Sequence, residues 1–128
     1  MAYLLDTHAL IWWWLQDPKL SQAAEDAIAS RAARVFVSPI SAFEIALKVR
    51  QTRLAGMAEP LRQFEDAVAA DGMTHLPLRH DHCRTAGLME SEHRDPFDRL
   101  IAAQGLTEGL IVITKDPQFA AFGCETLW

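Results

Sequence analysis

An α/β domain with a mainly parallel sheet is the fold this sequence predicts, on three observations. Short apolar runs, "AYLL", "RVFV" and "LIVIT", recur along the chain, rich in the branched and aromatic side chains that suit strands. Stretches with helical spacing or strong helix propensity separate them, the alternation that favours parallel pairing. No long linker, internal repeat or low-complexity tract interrupts the pattern. Residues 1–128 therefore read as one domain, long enough to bury a core.

The elements follow in order. "AYLL" is a buried strand that ends at Asp6. "HALIWWWLQ" is apolar on nearly every face and stops at Asp17-Pro18, so it reads as a short buried or interface helix. Ser21 caps the alanine-rich helix "QAAEDAIASRAA". "RVFV" is the second strand. Ser38-Pro39 opens the helix "ISAFEIALKVRQ", with Ala42, Ile45, Ala46 and Val49 along one stripe. Gly56 punctuates, and Pro60 begins a helix through "LRQFEDAVAA" that Asp71-Gly72 stops. "MTHLPL" is a weak strand, "DHCRTAGLME" a helix and "PFDRLIAAQGLTE" another, closed by Gly109. "LIVIT" is the clearest strand, and "CETL" is a short last one.

Composition bounds the function. The chain is 50% hydrophobic and 23% charged, an ordinary globular balance. No apolar run reaches the length of a membrane span, and "MAYLLDTHAL" lacks the basic start of a signal peptide, so the cytoplasm is the expected location. Cys83 and Cys124 are too few and too far apart for a disulfide framework or a CxxC motif, and both read as buried thiols. A formal net charge of −5 argues against a simple electrostatic nucleic-acid binder. An acidic chain can still handle nucleic acid where bound cations supply the positive charge.

The acids give that exception substance. Right-handed crossovers bring the exits of parallel strands to one sheet edge, where open α/β sheets bind ligands. Asp6 follows the first strand and Asp116 the fourth; Glu44 lies early in the helix after the second. Asp95 and Asp98 start the helix that returns to the fourth strand, which brings them to the same edge. Each has a plainer local reading. Asp95, Pro96 and Asp98 fit N-cap, N1 and N3 of a helix. Ser41 and Glu44 fit a capping box, with Lys48 a surface partner for Glu44, and Asp116-Pro117 opens turns. Local readings do not account for four segments converging on one edge.

Clustered carboxylates repel: two charges ~4 Å apart oppose each other by about 4 kcal/mol at an effective dielectric near 20. A divalent cation relieves this, and an all-oxygen site suits Mg²⁺ or Mn²⁺. Such an ion keeps several waters, which points to metal-assisted phosphodiester hydrolysis.

With "YLLDTHALIWW", "VSPISAFEIALK", "HRDPFDRLIAAQ" and "LIVITKD" in this order, the chain resembles the PIN-domain nucleases, specifically the VapC-like toxins of type II toxin–antitoxin pairs. The resemblance implies a five-stranded sheet of order 3-2-1-4-5 between helices and an acidic Mg²⁺ pocket that cuts RNA. It implies that the family's four acids fall on Asp6, Glu44, Asp98 and Asp116. On that basis Asp6 and Asp98 hold the principal metal, Asp116 stands alongside, and Glu44 orients the water or a second ion. Asp95 becomes an outer helper, and Thr114 takes the small-hydroxyl position that supports the pocket. Arg99 is a candidate for steadying a phosphate, a solvated or paired surface arginine being the plainer reading. The resemblance also implies a homodimer, and an antitoxin whose segment fills a groove near the first helices.

Other features of the chain admit other readings. "HDHC" (His80 to Cys83) invites zinc, but its spacings do not bring three side chains to one helix face. His8 and His93 lie near acids and read as cap or core hydrogen-bonding groups. Three consecutive residues, Trp12, Trp13 and Trp14, span about 300° of a helix, so at least one should be exposed unless a partner covers it. No GxGxxG or P-loop pattern occurs. The competing class is a metal-binding regulatory module, receiver-like or a catalytically silent PIN domain, with Thr114 and Lys115 as its Thr/Lys pair. A receiver needs adjacent acids after the first strand, where this chain has "DTH".

Overall fold

The computed structural model describes residues 1–51 and 54–128. Strand β1 (Ala2–Leu5) runs into helix α1 (Thr7–Leu15), for which Asp6 is the N-cap, accepting from the Ala9 N–H. Helix α1 ends at Gln16, which takes a left-handed φ of 52°. Ser21 caps α2 (Gln22–Ala29) in the same way. Strand β2 (Arg34–Val37) leads into α3 (Pro39–Arg50), capped by the Ser38 hydroxyl with Pro39 at its first position. Then come α4 (Ala58–Arg62), α5 (Phe64–Ala70), β3 (Thr74–His75) and α6 (His80–Leu88). Helix α7 (Pro96–Glu108), β4 (Ile111–Ile113), α8 (Gln118–Ala121) and β5 (Thr126–Leu127) complete the chain.

The sheet order is β3-β2-β1-β4-β5, and every neighbouring pair is parallel. Tyr3 lies opposite Val35 on one side and Ile111 on the other, so β1 is the central strand. The α/β class and the order 3-2-1-4-5 are both borne out. Because side chains alternate across a strand, Leu5 enters the core shared with Leu10, Ile45 and Val68, while Leu4 enters a second core with Ile101, Val112 and Phe119. Helices therefore cover both faces.

Two contacts fix α7, which carries part of the acidic edge. A Cβ on Gly105 would lie 2.8 Å from Val112 Cγ2, so only glycine lets the helix sit this close to β4. His82, fully buried, accepts the Arg79 N–H on Nδ1 at 3.0 Å. That leaves the proton on Nε2, which donates to Glu108 at 2.9 Å and ties the start of α6 to the end of α7.

Several boundaries differ from the sequence reading. The Pro60 helix begins earlier, at Ala58, and breaks at Gln63 (φ −110°, ψ 35°) into α4 and α5. "MTHLPL" and "CETL" shrink to two-residue strands because both are sheet edges, paired on one side only. Helix α8 was not foreseen. Cys124 is buried as expected, but Cys83 is exposed, since it lies on the open side of α6. The Ser41–Glu44 capping box is not formed: Ser38 takes the cap, and Ser41 bonds to Thr7 instead. Among the described residues, no helix is long and apolar enough to cross a membrane.

Candidate functional site

The C-terminal edge of the sheet gathers the acids. Asp6, 5% exposed, accepts the Ala9 N–H on Oδ1 at 2.8 Å and the Thr114 hydroxyl on Oδ2 at 2.5 Å. Thr114 in turn accepts the Asp116 N–H at 3.0 Å, so one hydroxyl spans the ends of β1 and β4. Asp116 Oδ1 accepts the Gln118 N–H at 2.9 Å at the start of α8. From α3, Glu44 Oε1 accepts the Thr7 hydroxyl at 2.6 Å. With its proton committed there, Thr7 accepts from Ser41, 3.0 Å away, giving a relay Ser41 to Thr7 to Glu44.

At the start of α7, Asp95 Oδ1 accepts the Phe97 N–H at 3.0 Å as N-cap. Asp98, in the first turn, lies 3.0 Å from His93 Nε2 through Oδ2. Among the described residues, Glu44 Oε2, Asp95 Oδ2, Asp98 Oδ1 and Asp116 Oδ2 make no hydrogen bond. Each of these acids is thus held by one oxygen and presents the other.

Electrostatics ties the groups together. Burial pushes the Asp6 carboxyl up to about 6; Asp98 and Asp116 add to the rise, and the bonds from Thr114 and Ala9 oppose it. Burial also raises Glu44, with Asp98 and Asp95 contributing and the Thr7 bond opposing. Asp98 is raised by burial, then by Asp95 and Asp116, against the His93 bond. Five carboxylates feel one another around one space.

His93, Asp95 and Asp98 bring ligand atoms within 4.8 Å of one another. No three of Asp6, Glu44, Asp98 and Asp116 come that close among the described residues. The donor set is hard oxygen with one imidazole nitrogen, which fits a small divalent cation. The unused oxygens and the raised carboxylates are the features such an ion would satisfy.

The remaining candidates are placed elsewhere. Arg99 directs its guanidinium at backbone carbonyls: Ala86 at 2.9 Å, Met89 at 2.6 Å, Ser91 at 3.3 Å and His93 at 3.0 Å. It is neither solvated nor turned to the acids; it pins the loop that carries His93 and Asp95. His8 lies on Trp12 at 5.5 Å, and burial with nearby Lys48 lowers its pKa. In "HDHC", His82 is committed to the α6–α7 clasp, and these residues form no metal cluster among the described residues.

All three tryptophans are half-buried, contrary to the expectation of an exposed one. Trp12 meets Trp128 edge-on at 5.7 Å, and both the Trp13 and Trp14 indoles donate to Asp71 Oδ2, at 3.0 and 2.8 Å. They line a cavity of about 550 Å³ whose acids are Asp17, Glu25 and Asp71.

Sequence reasoning missed Thr7 and Ser41. Their only local signal was a hydroxyl residue beside a candidate acid on α1 and a misassigned cap on α3.

The model of the PIN domain matches residues 3–123. Ribonuclease VapC22 of Mycobacterium tuberculosis is 35% identical over 117 residues, covering 88% of this chain and 85% of that protein. VapBC2 from Rickettsia felis, bound to a DNA fragment from its promoter, superposes with a TM-score of 0.72 at 15% identity, over 99% of this chain and 98% of that one. A toxin–antitoxin complex from Klebsiella pneumoniae gives a TM-score of 0.67 at 16% identity, covering 98% and 96%. The two structures speak for the fold alone. The family match and the sequence relative, with the parallel sheet and its acidic edge, place this chain in the PIN-domain family, among the VapC ribonucleases.

Proposed function

We propose that residues 1–128 act as one metal-dependent endoribonuclease, the toxin of a type II toxin–antitoxin pair, working in the cytoplasm. The observation that carries this is the set of carboxylates Asp6, Glu44 and Asp98, gathered at the acidic edge by separate elements and each raised by burial and by neighbouring acids. Anions held above their ordinary pKa are poised for a cation, and the relative that is 35% identical is a ribonuclease.

Asp6, Asp98 and Asp116 would hold Mg²⁺ or Mn²⁺, with Glu44 to one side and Asp95 and His93 flanking Asp98. The ion would polarise a phosphate oxygen and lower the pKa of a bound water. Glu44, made more basic by burial and kept ionised by the Thr7 bond, accepts a proton from the attacking water. Thr114 holds Asp6 and the Asp116 backbone in register. The His93 bond orients Asp98, and Arg99 fixes the loop between them.

The tryptophan cavity supports the partner reading. An antitoxin segment fills it, and a homodimer is the working state. Separate Ala substitutions at Trp12, Trp13 and Trp14 should each weaken antitoxin affinity; unchanged affinity in all three removes the assignment.

The activity is tested by incubating the purified protein with structured RNAs in Mg²⁺ or in EDTA, beside Asp98→Asn. Cleavage that needs the metal and disappears in the variant is the expected result. Cleavage that survives EDTA or the substitution overturns it.

A further inference from the structure

Each of the two helices that bring Glu44 and Asp98 to the site carries a phenylalanine one position earlier. Phe43 precedes Glu44 on α3, and Phe97 precedes Asp98 on α7. Neighbouring helical positions diverge by about 100°, so each ring leaves its helix one residue along the chain from the carboxylate and roughly a quarter turn away from it. The two rings meet edge to face, with centroids 5.2 Å apart and planes at 74°. Phe97 packs against the second core, whereas Phe43 is 52% exposed. One ring is anchored and braces the other, which stands exposed one residue before Glu44.

Isolated exposed apolar residues need no explanation. This one differs in being aromatic, braced by a second ring, and next in the chain to one of the site's carboxylates as its bracing ring is to another. Unpaired nucleotides are held by stacking their bases on such rings, and the base hangs one ribose away from its phosphate. With a net charge of −5, the chain lacks the basic track on which nucleic-acid binders ordinarily depend, so contacts to the bases must carry more of the affinity. We propose that Phe43, braced by Phe97, is the stacking platform for a nucleobase next to the scissile phosphate of a single-stranded RNA. A hydrocarbon face reads no hydrogen-bond pattern, so the platform supplies affinity and register, not base identity. The inference rests on the ribonuclease reading above.

The test uses the full chain and a short fluorescein-labelled single-stranded RNA of mixed sequence, its binding followed by anisotropy in Ca²⁺ to slow turnover. Phe43→Ala and Phe43→Leu should each weaken binding roughly tenfold, with Phe43→Trp close to the parent. In Mg²⁺, Phe43→Ala should raise KM by a similar factor and leave kcat within about twofold. An RNA with abasic positions should bind parent and Phe43→Ala alike. Equal affinity of all variants for the intact RNA overturns the platform, as does a Leu variant that matches the parent. Sedimentation decides a second point: if Phe43→Ala dissociates a dimer and leaves RNA affinity unchanged, the ring belongs to an interface between copies, and the proposal fails. Phe43-dependent binding without any cleavage by the parent upholds the platform and removes the ribonuclease reading.

Discussion

Asp6→Asn should make the metal-free protein more stable at neutral pH while abolishing its response to metal. Asp6 is 5% exposed, and its carboxyl titrates at about 6 in place of 3.8. The gap of about 2 pKa units, at 1.36 kcal/mol each, is about 3 kcal/mol. Its sign follows from linkage. The folded state binds this proton more tightly than the unfolded chain, so stability falls as pH rises from 3.8 through 6, and the whole penalty is present above that window. Asn removes the charge at every pH, remains a good N-cap for the Ala9 N–H, and faces a Thr114 hydroxyl that can rotate to accept. Allowing about 1 kcal/mol for the weaker neutral hydrogen bonds leaves a gain of about 2 kcal/mol. At about 4 °C per kcal/mol for a domain of this size, Tm should rise roughly 8 °C. The assay is urea and thermal unfolding at pH 4.5 and 7.5, in EDTA and in Mg²⁺. In EDTA the variant should gain at pH 7.5 and lose much of the slope between the two pH values, with Glu44 and Asp98 supplying what remains. In Mg²⁺ the parent should be stabilised and the variant should not. A variant less stable than the parent at pH 7.5 in EDTA, with the slope intact, refutes the claim that Asp6 is held as a strained anion.

Three further outcomes follow from the packing. Gly105→Ala drives a Cβ to 2.8 Å from Val112 Cγ2, so overpacking should outweigh the helix-propensity gain by about 1 kcal/mol in urea unfolding; adding Val112→Ala should restore the loss. Arg99→Ala removes four bonds to backbone carbonyls and should destabilise by about 3 kcal/mol while weakening Mg²⁺-induced stabilisation. Arg99→Lys should rescue little of it, because an ammonium cannot reproduce the planar fork. One thiol per chain should react quickly with Ellman's reagent: Cys83 is exposed, whereas burial holds Cys124 up at about 11. Two fast thiols in the folded protein would contradict this packing.

The sheet was legible because each central strand is a short apolar run ended by a residue that caps or opens the next helix, as Asp6 and Ser38 do. The edges were not, since β3 and β5 owe their two residues to pairing on one side, which local composition does not encode. Nothing in "LRQFED" announces the break at Gln63. The tryptophans were misjudged for a related reason: Trp128 and Asp71, more than fifty positions away, are what half-bury and bond them. Arg99 was misplaced because its partners are carbonyls, which every residue carries and no sequence pattern marks.

The site also shows why capping and the proposed ligation were hard to separate from sequence: the side chains that would ligate are largely the ones that cap helices. Asp6 and Asp95 are N-caps, Asp98 lies in the first turn of α7, and Asp116 bonds the first N–H of α8. A helix N-terminus is where a carboxylate can be held with least penalty, each worth about 0.3–1 kcal/mol. That anchors one oxygen of Asp6, Asp95 and Asp116 and fixes its direction without a basic partner, whereas Asp98 is held by His93. Repulsion between unit charges at ~4 Å is nearer 4 kcal/mol at an effective dielectric of 20, so the dipoles position the acids without offsetting their proximity. Burial first, and then the neighbouring Asp98 and Asp116 charges, raise Asp6 to about 6 despite two hydrogen bonds that lower it. A cap alone would have a carboxylate at ease; here the caps hold carboxylates that remain short of positive charge, and the same geometry that starts the helices keeps that demand directed at one space.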